Sequence, residues 1–184
     1  QTTAKRTEDG WVINGNKSFL TSGVLGASVY LILAITNHEK DTENSRTVFI
    51  LDNKHPGFEN GRVEAFIGMR GCPVGDIYLT DALVGDEDRL GEIDQGMKIG
   101  HEAHHTARFL MGALAAGIID SALNLSVDYV TERELFGDKM AHLDGVKFRI
   151  SDMAMSAQAT QLIMYHAAWL KDQKLPQKKE TTAA

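Results

Sequence analysis

The chain changes character near Leu90-Gly91, and this change constrains its fold more than any other feature. Before it, short β-branched and aromatic runs alternate with turn residues. After it, apolar residues recur every three or four positions over long stretches. Side chains have a period of two in strands and 3.6 in helices, so one such change predicts a β segment followed by a helical segment. We expect an α+β fold of two domains, 1–92 and 93–184.

The β segment is expected to hold about six or seven short strands in a small antiparallel barrel or sandwich. The clearest predicted strands cover residues 28–36, 47–52, 62–67 and 76–84. An earlier pair is predicted around Asn14-Gly15-Asn16, because Asn-Gly between two apolar runs is the strongest short signal for a β-hairpin.

The helical segment predicts two long antiparallel helices, over about residues 95–134 and 143–171. Residues from Glu180 onward are similar to the first turn of a third helix. Two helices cannot bury this much apolar surface against each other, and helices of this length belong to bundles of four or more. We therefore expect an incomplete four-helix bundle, completed by another segment of the same protein, by other subunits, or by both.

Composition excludes some classes of partner. A formal net charge of −6 leaves no wide basic surface for nucleic acid. The single cysteine, Cys72, implies no oxidising compartment, and the first nine residues contain no apolar signal core. The apolar run 109–119 is too short to span a bilayer and predicts a buried helix without membrane insertion. We expect a cytoplasmic protein, or a mitochondrial-matrix one in a eukaryote.

Three short patterns contain residues suited to binding or catalysis, and each also has an ordinary structural explanation. Phe19-Leu20-Thr21 offers an apolar wall and a hydroxyl, or is a plain alternating strand. The segment from Arg133 to Gly137 offers a guanidinium fork, or is a helix end capped by glycine. Glu102 and His105 form half of a Glu-x-x-His di-metal motif. Because the other half is absent from the sequence, we predict no metal.

The order of these patterns resembles the acyl-CoA dehydrogenase family, and the resemblance covers essentially the whole chain. The family stretch N-G-x-K-x-[WF]-I-T-[NS]-G is matched at Asn14, Gly15, Lys17, Phe19, Thr21, Ser22 and Gly23. Gly68-Met69-Arg70, Leu90-Gly91 and the R-x-x-F-G of Arg133, Phe136 and Gly137 follow in the family order.

The resemblance implies specific roles. Phe19, Leu20 and Thr21 would contact the flavin ring of FAD, and Arg133 and Phe136 would bind the FAD of a neighbouring subunit. Arg108 and His105 would lie beside the acyl-CoA substrate. Some branches of the family place the catalytic Glu at the position of Ala107, so we expect the base to lie outside these residues.

The implied activity is α,β-dehydrogenation of an acyl-CoA thioester in fatty-acid β-oxidation, with electrons passed to an electron-transfer flavoprotein. The enzyme would be a homotetramer or dimer, and this segment would be inactive alone. An acyl-CoA oxidase or another flavoenzyme on the same fold is the alternative. A non-catalytic assembly subunit is a further one, because Asp144 replaces a glutamine that helps to bind FAD in the family and would repel a pyrophosphate.

Overall fold

The computed structural model describes residues 1–24, 26–176 and 179. These residues form two compact units, one from Gln1 to Glu102 and the other from Ala103 onward. The division falls inside the first long helix, so the first turns of that helix belong to the unit that contains the sheet. The α+β fold class is confirmed, because a seven-stranded sheet is followed by two long helices.

The first unit is built on the seven-stranded sheet. Its strands are β1 (Thr3–Thr7), β2 (Gly10–Thr21), β3 (Val29–Ile35), β4 (Arg46–Asp52), β5 (Phe58–Val63), β6 (Val74–Val84) and β7 (Arg89–Leu90). Their order across the sheet is β5-β6-β2-β1-β3-β4-β7. Neighbouring strands are antiparallel except β1 and β3, which are parallel, so the sheet is mixed rather than fully antiparallel as predicted.

The core of this unit lies on one face of the sheet. Ile13, Ile32 and Phe49 are fully buried, and the Trp11 and Phe49 rings lie 5.5 Å apart. Burying one such side chain contributes about 1.5–3 kcal/mol, so these alternating apolar positions determine which face of each strand points inward.

The predicted hairpin at Asn14-Gly15 is wrong, because β2 runs straight through these residues. The register against β6 shifts between Ile13 and Gly15, which marks a β-bulge. The Asn14 side chain donates to Asp81 Oδ1 at 3.0 Å and accepts from the Asp81 N–H at 2.9 Å. Gly15 has φ +136°, and a Cβ there would lie 2.5 Å from the Gln1 carbonyl oxygen. Asn14 therefore binds a bulge in the partner strand β6, and Gly15 allows a close backbone approach.

The strand predicted at 62–67 is displaced, because β5 covers Phe58–Val63 and residues 64–72 form a loop. Only Phe58 and Gly61 of β5 are even half-buried, as on an edge strand. A strand that buries little carries a weak period-two signal, which explains the displacement.

The second unit contains most of α1 (Gly96–Glu132) and all of α2 (Asp144–Asp172). Between them lie β8 (Glu134–Leu135), β9 (Asp138–Lys139) and a 3-10 turn (Met140–His142). The helices are antiparallel, since Lys171 near the end of α2 lies 5.5 Å from the Phe109 ring in α1. The predicted start of a third helix lies outside the described residues.

The prediction that residues 109–119 form a buried helix is wrong for the part of the chain that the structure describes. Leu110 is 58% exposed and Ile118 is 62% exposed. Among the residues of this unit that the structure describes, α2 is the long element that lies against α1, so much of the surface of α1 is exposed. By length and composition alone α1 could cross a membrane, a property that core helices of soluble proteins share.

Candidate functional site

The end of β2 holds Phe19 in an unusual conformation. The register against β6 shifts between Lys17 and Leu20, so Ser18 and Phe19 together oppose a single residue, Asp76. Phe19 has φ +56°, and its N–H donates to Asp76 Oδ1 at 3.3 Å. A positive φ is costly for a bulky residue, and such strain is concentrated at functional sites. The Phe19 ring is 67% exposed, which suits a role as an apolar wall for a ligand.

Thr21 lines an apolar cleft of about 600 Å³. The other lining residues are Val74 beside Thr21 and the loop residues Ala65, Phe66, Ile67, Gly68, Met69 and Cys72. Ile67 is almost fully exposed on that loop. An apolar cleft with a hydroxyl at one edge can hold a flat ring system and donate a hydrogen bond to one of its heteroatoms.

Leu20 and Ser22, the other residues of this stretch, anchor the end of β2 beside the cleft. The Leu20 side chain packs against the core, so it faces away from Phe19 and Thr21. The Ser22 N–H donates to the Pro73 carbonyl at 2.7 Å, and its hydroxyl lies 3.5 Å from Cys72 Sγ. These contacts hold the end of β2 against the chain that enters β6.

Lys17 serves the sheet rather than the cleft. Its ammonium donates to the Leu33 carbonyl at 2.5 Å and so links β2 to β3. Burial lowers the pKa of Lys17, and the nearby positive charge of Arg46 lowers it further. The lysine of the family-like stretch is therefore a structural residue in this chain.

Phe136 stands at the tip of a hairpin between the two long helices. The pairing of Leu135 with Asp138 leaves Phe136 and Gly137 as a two-residue loop, and both have positive φ, as in a type I′ turn. Gly137 is therefore a hairpin residue and does not cap α1. Phe136 is 90% exposed, so the cost of its positive φ is not offset by packing of the ring against the described residues.

Arg133 lies at the base of the same hairpin, directly after α1. Its N–H donates to the Tyr129 carbonyl at 2.9 Å, and its own carbonyl accepts from the Met140 N–H at 2.8 Å. The backbone is thus held on both sides while the side chain is exposed. The structure brings Arg133 and Phe136 together on one small hairpin.

Asp144 is paired with a cation. Lys147 Nζ lies 3.1 Å from Asp144 Oδ1, one helical turn further along α2. The repulsion expected from this carboxylate is therefore partly compensated within the chain. The spacing of three residues between Asp144 and Lys147 could have indicated this pair from the sequence.

His105 and Arg108 lie on one face of α1, three residues apart. Arg108 is exposed, whereas His105 is half-buried. The Nδ1 of His105 is buried and has no hydrogen-bond partner among the described residues. Nowhere in residues 1–24 and 26–176 do three His, Cys, Asp or Glu side chains come together as a metal site would require.

Two family models match nearly the whole chain. The model of the acyl-CoA dehydrogenase middle domain matches residues 1–82, and that of the acyl-CoA dehydrogenase C-terminal domain matches residues 94–184. The chain belongs to the acyl-CoA dehydrogenase family. The middle-domain match contains β1 to β5 and most of β6, and the C-terminal match contains both long helices.

Individual relatives agree with this assignment. The chain is 33% identical over its whole length to the caffeyl-CoA reductase–Etf complex subunit CarC of Acetobacterium woodii, and covers 48% of that protein. The solved structure of butyryl-CoA dehydrogenase from Megasphaera elsdenii superposes on the whole chain with a TM-score of 0.93 at 31% identity, and 48% of it is covered.

A structure of PigA with FAD and proline superposes on 98% of the chain with a TM-score of 0.94 at 28% identity, and 47% of that protein is covered. The chain thus spans about half the length of the relatives it matches.

Proposed function

We propose that the protein containing this chain is an FAD-dependent enzyme that removes hydrogen from the α- and β-carbons of an acyl-CoA thioester. The observation that carries this proposal is the strained end of β2, where Thr21 lines an apolar cleft of about 600 Å³ and the exposed Phe19, with its positive φ, lies two residues earlier, in a chain of this family. The similarity to butyryl-CoA dehydrogenase supports an acyl-CoA substrate.

The residues of the chain fit FAD. The exposed Phe19 ring would cover one side of the isoalloxazine, and the Thr21 hydroxyl would donate to one of its heteroatoms. Arg133 would pair with the pyrophosphate of an FAD held by a neighbouring subunit, and Phe136 would pack against the same cofactor. Similarity to the FAD-containing PigA structure supports this cofactor. When bound, FAD supplies the acceptor for the hydride from the β-carbon.

The reaction also requires that the acyl-CoA be positioned and that a base accept its α-proton. His105 and Arg108, three residues apart on one face of α1, would hold polar groups of the acyl-CoA. A carboxylate base must accept the α-proton. Ala107 supplies none at the position where some branches of the family carry it, so we expect the base outside residues 1–184.

Electrons would leave to an electron-transfer flavoprotein. The similarity to a subunit of a reductase–Etf complex supports this partner. The exposed apolar residues of α1, such as Leu114, Ile118 and Leu125, support a homo-oligomer, a tetramer or dimer, in which these side chains become covered. The cytoplasm or the mitochondrial matrix suits such an enzyme.

A second candidate is the same chemistry run in the opposite direction, the reduction of a carbon–carbon double bond conjugated to the thioester. Its support is the similarity over the full length of the chain to a caffeyl-CoA reductase complex subunit. The direction depends on the relative redox potentials of the flavin and its electron partner, so one site can serve both.

The test is anaerobic reduction of the purified full-length protein by a series of acyl-CoA thioesters, followed at the flavin absorption bands. We expect bleaching with at least one acyl-CoA and slow reoxidation in air. Fast reoxidation by oxygen would indicate an oxidase. A colourless protein that takes up no FAD would overturn the proposal in favour of an assembly subunit.

Thr21→Val removes the hydroxyl and keeps the β-branched shape. We expect flavin reduction to slow by about tenfold, the loss of one hydrogen bond to a bound group. Thr80→Val, at an exposed position on β6, is the matched control and should leave the rate unchanged. Equal rates in the two variants would remove Thr21 from the site.

A further inference from the structure

The orientation of Thr21 depends on one extra residue in β2. Successive side chains of a regular strand alternate between faces, so counting from Lys17 would place Phe19 and Thr21 on one face and Leu20 on the other. In the structure Lys17 opposes Ile77, whereas Leu20 opposes Gly75 and Thr21 opposes Val74. The extra residue reverses the alternation, so that Leu20 packs on the core and Thr21 borders the cleft.

Asp76 is the residue opposite this bulge. Its Oδ1 accepts the Phe19 N–H at 3.3 Å, a backbone donor that the irregular register would otherwise leave without a partner on β6. A carboxylate is a strong acceptor for such a donor. The same contact holds Phe19 at φ +56°, a conformation that a bulky residue does not adopt unsupported.

The position of Asp76 is irregular on its other side as well. The register between β5 and β6 shifts between Asn60 and Val63, and this shift falls opposite Asp76. Gly61 lies against it, and a Cβ on Gly61 would come within 3.0 Å of Asp76 Cβ. The absence of a side chain on β5 leaves room for the Asp76 side chain, which is half-buried beside the strand end.

We propose that Asp76 is a positioning residue for the flavin-contacting stretch: by holding the bulge it sets which of Leu20 and Thr21 faces the cleft. This inference rests on the proposed function, since the role of the cleft in binding FAD comes from it. Asp76 touches neither the cofactor nor the substrate in this proposal and acts through Phe19 and Thr21.

The experiment compares Asp76→Ala, Asp76→Asn and Asp81→Ala in the full-length protein. Asp81 is the matched control, because it lies on the same strand and supports the other register shift between β2 and β6, through Asn14. Two readouts are used: the dissociation constant of FAD, and amide hydrogen exchange of residues 18–22 in the flavin-free protein.

We expect Asp76→Ala to weaken FAD binding by about tenfold and to speed exchange at residues 18–22. Asp76→Asn keeps an acceptor oxygen, so its dissociation constant for FAD and its exchange rates at residues 18–22 should lie within about twofold of the wild-type values. Asp81→Ala should lower thermal stability without changing either readout. If Asp76→Ala and Asp81→Ala bind FAD equally well, or exchange at residues 18–22 is unchanged in Asp76→Ala, the inference is wrong.

Failure of the proposed function gives a different result. If the wild-type protein takes up no FAD, the flavin proposal falls, and hydrogen exchange alone decides whether Asp76 holds the bulge. If the wild type binds FAD and only the Asp76 comparison fails, the proposed function stands and the positioning role is lost.

Discussion

The ammonium of Lys40 lies 2.8 Å from the carboxylate of Asp94, two residues before α1 begins. The other oxygen of Asp94 accepts from the Thr36 hydroxyl at 2.6 Å, and the Asp94 N–H donates to the Thr47 hydroxyl at 2.9 Å. Asp94 is buried and has φ +64°. This network fixes the direction in which the chain leaves the sheet to start the helix.

The lowered pKa of Asp94 predicts that the folded protein loses stability in acid. Burial alone would raise the pKa of Asp94, but the hydrogen bonds from Lys40 and Thr36 outweigh it and hold the pKa below the usual 3.8. A lowered folded-state pKa stabilises the fold above the unfolded pKa of about 3.9, and this contribution disappears as the pH falls through the folded value.

Asp94→Asn should reduce the free energy of unfolding by about 1.5–3 kcal/mol at neutral pH, the range for hydrogen bonds to a charged group. The difference from the wild type should shrink below about pH 4. Urea unfolding of both proteins between about pH 3 and pH 7 measures it. Stability curves that stay parallel over that range would contradict the role of this carboxylate.

Asp86 should titrate far below an ordinary aspartate. Hydrogen bonds from Arg6 and then from Trp11 Nε1 lower the pKa of Asp86 to about 2. Arg6→Gln should raise this pKa toward 3.8 but not fully, because the Trp11 bond at 2.9 Å remains. Carboxyl NMR titration measures the change. Lys5→Gln removes a charge from the same strand as Arg6 but from a residue that does not contact Asp86, so it should leave the pKa of Asp86 unchanged.

Phe136 predicts opposite effects on stability and on cofactor binding. Gly at this first turn position adopts positive φ without strain, so Phe136→Gly should stabilise the isolated hairpin conformation by about 1 kcal/mol. The same change removes the exposed ring and should weaken FAD retention. Thermal unfolding of the flavin-free protein and FAD titration measure the two effects. A loss of apo-protein stability would show that the Phe136 ring is packed in the assembly even without FAD.

We expect the charges of Asp144 and Lys147 to change the affinity for FAD in opposite directions. Asp144→Gln removes a negative charge and should tighten FAD binding, whereas Lys147→Gln leaves the carboxylate unpaired and should weaken it. Asp144→Gln should also cost about 0.3–1 kcal/mol of stability, because an acidic residue favours the first turn of a helix. FAD titrations of both variants at low and high salt test this. If both variants bind FAD with the affinity of the wild type, the Asp144–Lys147 pair does not lie near the cofactor.

The helices were the most predictable part of the fold. The predicted ranges 95–134 and 143–171 became Gly96–Glu132 and Asp144–Asp172, within two residues at each end. Helical hydrogen bonds join residues four apart, so the pattern that reveals a helix lies within the helix itself. Burial was less predictable, because it depends on neighbours that are not part of the sequence of the helix itself.

The strands were harder to predict, because their partners are distant in sequence. β1 holds mostly polar residues, yet it lies between β2 and β3 inside the sheet. Asn14-Gly15 has the residues of a hairpin turn but lies within β2, opposite a bulge in β6 whose Asp81 binds the Asn14 side chain. A turn and a bulge use the same backbone freedom, and only the partner strand distinguishes them.

The sequence by itself determined the family, the residue types at the candidate site and the extent of both helices, because these depend on local order and periodicity. Tertiary structure alone decided that Phe19 bulges out, that Thr21 borders a cleft and that Phe136 stands on a type I′ hairpin. Each of these depends on the register between segments, and one extra residue, at the position facing Asp76, reverses which side chains border the cleft.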